Sequence, residues 1–69
     1  MKYTVAFKRN DRVGLEEYEA GDTIQQARRE AQFFAQNLPR WVDVKICTVN
    51  RQGHLEVHEI FRGSKQETE

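Results

Sequence analysis

Apolar and polar residues along this chain change period twice, and the changes outline its elements. Over residues 2–9 the chain alternates. Tyr3, Val5 and Phe7 share one parity; Lys2, Thr4, Ala6 and Lys8 share the other. Successive side chains leave a strand on opposite faces, so this alternation predicts a half-buried strand. Asn10 and Asp11 follow as turn residues. Residues 13–20 predict a second strand with a conflict in it: Val13 and Leu15 share one parity, Tyr18 and Ala20 the other. A bulge near Glu16–Glu17 would reconcile the two halves. Over 22–38 the period changes. Ile24, Ala27, Ala31, Phe34, Ala35 and Leu38 fall on one stripe at about 100° per residue, as on an amphipathic helix. Asp22 or Thr23 offers an N-cap oxygen, and Pro39 ends the helix because the residue before proline avoids the α region. Alternation returns over 41–49 and over 54–62, with Asn50 to Gly53 as the hairpin loop between them.

The predicted order is β-β-α-β-β. This is an α+β fold: two hairpins give an antiparallel four-stranded sheet, and the single helix packs on one face. Residues 1–63 form one domain and 64–69 a polar flexible tail. The expected inner layer sets Tyr3, Val5, Phe7, Val42, Val44, Ile46, Leu55, Val57 and Phe61 against the helical stripe. The alanines let the helix approach closely while Phe34 fills space. The other face has no second layer, and Trp41, Cys47, Val49, Ile60 and Tyr18 are expected there among charged residues.

Composition narrows the function. The chain has 69 residues, 11 basic and 11 acidic, for zero formal charge. A generic nucleic-acid binder usually carries a basic excess. One cysteine excludes an internal disulfide. No apolar run reaches membrane-spanning length, and no signal-peptide pattern opens the sequence, so the cytoplasm is the expected compartment. Charge is segregated: Glu16, Glu17, Glu19 and Asp22 follow a basic stretch holding Lys2, Lys8 and Arg9. Cross-hairpin pairing accounts for this pattern, and so does a surface that steers a charged partner.

Catalytic patterns are thin. His54 and His58 lie four residues apart, about 13 Å along a strand, too far to share one ion. Cys47 reads as a small hydrophobe on a strand, with no orienting carboxylate or oxyanion pocket for nucleophilic chemistry. The glycines stand at turns and element ends rather than in a phosphate loop. The expectation is therefore a protein with no enzymatic activity, no metal and no cofactor.

Two places suggest binding. Phe33 lies about 180° around the helix from Ile24, on the outer face. A phenylalanine has no polar group to justify exposure, and Arg28 and Arg29 stand near it in sequence, the residue types that anchor interfaces. Lys8 and Arg9 add the basic end of the first hairpin. Against this, isolated surface hydrophobes are normal. Trp41, at the start of the third strand, reads either as a ring packed over the sheet end or as a stacking platform on the open face. In the second case Lys45 and Tyr18 complete the surface for a flavin or a base. The open face would also suit a homodimer.

Two resemblances bear on these sites. Tyr18-Glu19-Ala20 leading into Thr23-Ile24-Gln25-Gln26-Ala27-Arg28, and Cys47-Thr48-Val49-Asn50 before the hairpin loop, resemble the small type I anti-CRISPR proteins of phages and mobile elements. The resemblance implies a non-enzymatic inhibitor that occupies the surface of a CRISPR-Cas surveillance complex or its nuclease. Trp41-Val42-Asp43-Val44-Lys45 after a helix looks like the tryptophan-bearing strand of dodecin, where the tryptophan stacks on flavin. Dodecin has one strand before its helix, whereas residues 2–20 predict two.

Overall fold

The computed structural model describes residues 2–9 and 13–65, and has the predicted α+β architecture. Its elements are β1 (Thr4–Phe7), β2 (Glu16–Glu19), α1 (Ile24–Gln36), β3 (Asp43–Val49) and β4 (Leu55–Arg62). All neighbouring strands are antiparallel, in the order β2-β1-β3-β4. The helix backbone approaches β1, β3 and β4, but not β2. The turn expected at Asn10 and Asp11 lies outside the described residues.

The helix starts where its capping chemistry dictates. Thr23 is the N-cap: its side chain accepts from the Gln26 amide at 3.2 Å, and the Gln26 side chain accepts from the Thr23 amide at 3.3 Å. This reciprocal capping box satisfies donors that have no partner within the helix. Asp22, the other N-cap candidate, donates its own amide to Gln26 Oε1 at 2.9 Å. Gly21 precedes it at φ 96°, a left-handed conformation that favours glycine.

The core consists of Val5, Phe7, Val42, Val44 and Ile46 from the sheet side, packed on Ala27, Ala31, Ala35 and Leu38. Ala20 joins it, and Tyr3, Ile24, Phe34 and Phe61 close its margins. Close approach extends to the chain after β4. The amides of Gly63, Ser64 and Lys65 donate to Val42, Ala35 and Leu38 carbonyls at 2.8–3.0 Å. Ser64 and Lys65, assigned to the flexible tail by sequence, are thus tied beneath the end of α1; the remainder of that tail lies outside the described residues.

Two strand faces differ from expectation. The register of β2 on β1 is continuous from Glu16 to Glu19, with no bulge. Val13 and Leu15 simply precede the strand, which removes the parity conflict, and Tyr18 pairs with Val5 on the helix side. The irregularity lies in the other hairpin, where Ile46 pairs with Glu59 and Cys47 with Val57. His58 is the extra residue. Leu55 and Val57, expected in the inner layer, therefore share the open face with Val49 and Cys47, their partners on β3. Phe61, beyond the bulge, keeps its inner position opposite Val44.

Candidate functional site

A run of aromatic rings crosses from the core to the surface where the helix leaves β2 uncovered. Phe7 is buried on β1, and its ring lies 5.3 Å from Phe34 on α1 and 5.8 Å from Tyr18 on β2. Tyr18 and Phe34 stack at 5.0 Å with planes 25° apart. Phe33 meets Phe34 edge-on at 6.1 Å. The ladder begins buried and ends with Phe33 63% and Tyr18 41% exposed. Offset-stacked and edge-to-face rings are worth about 0.5–1.5 kcal/mol per pair beyond area burial, so the ladder holds its exposed ends in fixed positions.

Polar groups continue the same flank. The Tyr18 hydroxyl donates to Glu16 at 3.1 Å, and Arg9 pairs with Glu16 at 2.9 Å. The Arg9 guanidinium also lies 5.5 Å from the centre of the Phe7 ring, within cation–π range. Phe33, Phe34, Tyr18, Glu16 and Arg9 thus form one connected surface from α1, β2 and the segment after β1. An aromatic cluster bordered by an arginine has the composition of an interface hot spot.

Phe33 stands on the outer helix face, as the periodicity predicts. Arg28 does not stand with it. Five residues of α-helix separate the two by about 140°, and Arg28 Nε instead donates to both oxygens of Glu59 on β4, at 2.9 and 3.2 Å. Arg29 remains exposed on the helix. Tyr18, expected on the open sheet face, belongs to the opposite side, because its parity in β2 matches Val5 and Phe7. The sequence pattern places Phe33 and Tyr18 on different surfaces, and the structure brings both to one. The missing signal was Phe34: a ring counted only as core is the bridge between them.

The open face has its own feature. Trp41, 62% exposed, borders a shallow hollow lined by Lys8, Leu15, Asp43 and Lys45. Lys8 thus joins the tryptophan side, and Arg9 borders a second hollow with Trp41, Leu38 and Pro39, so the tryptophan lies between the two basic residues. Towards the centre of this face, Cys47 lies beneath its neighbours. Burial pushes its thiol up; Lys45 opposes that shift and Glu17 adds to it. On the helix side, at the β4 bulge, Thr48 Oγ1 and His58 Nε2 lie 2.6 Å apart, and the His58 ring meets Tyr3 edge-on at 6.1 Å. Among the described residues, no three metal-ligating side chains converge. No helix there is long and apolar enough to cross a membrane.

No protein-family profile, no curated protein and no solved structure matches this chain.

Proposed function

We propose that this chain is a non-enzymatic protein-binding domain that acts by occupying a partner's surface, through the flank formed by Phe33, Phe34, Tyr18 and Arg9. The observation that carries the reading is the ladder itself. Its inner rings are fixed in the core while its outer rings face solvent, so apolar contact area is pre-organised at little entropic cost. The anti-CRISPR resemblance supplies the partner class: a type I CRISPR surveillance complex or its nuclease, blocked in the cytoplasm of a bacterial host. Arg29 extends this surface along the outer helix. Arg28 supports it from a distance by fixing the helix to β4.

The test is inhibition of type I interference by wild type and Phe33→Ala. The substitution leaves the melting temperature nearly unchanged, because the ring is mostly exposed, and abolishes most of the inhibition. Equal inhibition by the two proteins rejects the site.

The hollow beside Trp41 favours a second reading, a module that binds flavin or single-stranded nucleic acid. A ring exposed next to Lys8 and Lys45 combines a stacking surface with positive charge. Because the chain has one tryptophan, its fluorescence reports this site alone. Quenching by riboflavin phosphate or oligothymidylate supports the reading, and unchanged emission at millimolar ligand removes it.

A further inference from the structure

We infer that β2 is a docking edge for an extended basic segment of a partner protein, which adds to the sheet as a fifth strand. The inference deepens the protein-binding reading above and rests on it for the biological role of the edge. β2 is an outer strand: β1 pairs with it on one side, and no described strand pairs on the other. Main-chain geometry identifies the groups available there. The Ala20 amide donates to the Tyr3 carbonyl at 2.9 Å, so Ala20 faces β1. Amide and carbonyl groups alternate in direction along an antiparallel strand. Tyr18 therefore also faces β1, while the amides and carbonyls of Glu17 and Glu19 face outward.

Side chains define what this edge accepts. Glu17 and Glu19 share the open face with their β1 partners Ala6 and Thr4, neither of which is charged. Lys2 borders the same hollow as Glu19, and Lys45 lies one strand further in, paired with Ala6, so the outer side of the two carboxylates is left for a partner. Tyr18 and Glu16 lie on the helix side, where the backbone of α1 does not reach. A strand laid beside β2 thus meets carboxylates on one face and the stacked rings of Tyr18 and Phe34 on the other. The complementary segment alternates lysine or arginine with an apolar or aromatic residue. A second copy is the wrong occupant. Antiparallel pairing of β2 with another β2 would bring glutamates of the two copies together, and like charges on adjacent strands repel. The β4 edge is less receptive, because the His58 bulge interrupts its regular pattern.

The probe is a short capped peptide alternating lysine with valine and phenylalanine, added to the intact chain. Amide exchange is followed by NMR. In the free protein the Glu17 and Glu19 amides exchange quickly and the Tyr18 amide slowly; the peptide slows Glu17 and Glu19. Binding weakens as salt rises. Glu17→Lys with Glu19→Lys weakens it by about tenfold or more, the equivalent of roughly 1.4 kcal/mol. Glu17→Pro removes an outward amide that β1 does not use, and it weakens binding without lowering the β1–β2 protection. Peptide binding that leaves the Glu17 and Glu19 amides unprotected means charge attraction alone and overturns strand addition. Protection that appears with protein concentration and no peptide assigns the edge to a second copy and also overturns it. If peptide protection is seen but Phe33→Ala still inhibits type I interference fully, the docking edge stands and the inhibitor site falls. The reverse pattern removes the edge and leaves the inhibitor site.

Discussion

Phe33 is exposed but not isolated, and that distinction decides what its removal does. Its ring touches Phe34 by one edge only, so truncation removes little buried area and leaves the stack of Phe34, Tyr18 and Phe7 in place. Phe34 is different. It joins Phe7 and Tyr18, and Phe34→Ala costs about 2–4 kcal/mol in chemical denaturation, somewhat below the range for a fully buried phenylalanine because the ring is partly buried. Gly63 is constrained from another direction. A Cβ there would run into the carbonyl oxygens of Leu38 and Pro39, which are backbone and have little freedom to yield. Gly63→Ala should cost about 2 kcal/mol or more, read as a lower denaturation midpoint with an unchanged slope. Cys47 links stability to pH. Burial favours its neutral thiol, so the folded state holds the proton above the ordinary thiol value of 9.0. Its contribution is complete below that value and is lost as pH rises through the folded-state value. The stability difference between wild type and Cys47→Ala should therefore shrink as the solution is taken alkaline, and a difference constant with pH would contradict this.

The capping box makes the start of α1 the most sequence-determined point in the molecule. Thr23 and Gln26 satisfy one another's backbone donors, and Thr23→Ala should cost about 1 kcal/mol with the helix otherwise unchanged by circular dichroism. The helix, the four strands and the central core were legible because each has a strong period: alanines at 27, 31 and 35, and valines and isoleucine at 42, 44 and 46. The faces of β2 and of the first half of β4 were not legible. In β2, parity alone could not decide whether Val13 and Leu15 belong to the strand. In β4, Leu55, Val57 and Phe61 alternate as if uninterrupted, and the bulge is fixed instead by long-range contacts. His58 meets Thr48 and Tyr3, while Glu59 holds Arg28. Those partners are 10 to 55 positions away in the chain, beyond the reach of any local pattern.

Two surfaces emerge for the whole molecule, and they meet at the sheet end where Arg9 and Trp41 border one hollow. One carries the aromatic ladder and the β2 edge; the other carries Trp41 with the apolar open face. The bulge makes the second surface more apolar than the alternation implied, because Leu55 and Val57 join Val49 and Ile60 there. Such a patch is suited to covering by a second copy, which light scattering over a range of concentrations would detect as a rise in mass. Ile60→Lys should then hold the protein monomeric, and a monomer in the wild type throughout would remove self-association. The connected ladder puts the partner-binding claim on the first surface, independently of that outcome. The most direct comparison sets Phe33→Ala against Trp41→Ala in an assay of type I interference, with both variants first matched to wild type in melting temperature. Loss of inhibition in Phe33→Ala, with Trp41→Ala retaining it, is the predicted result; full inhibition by Phe33→Ala would contradict the account.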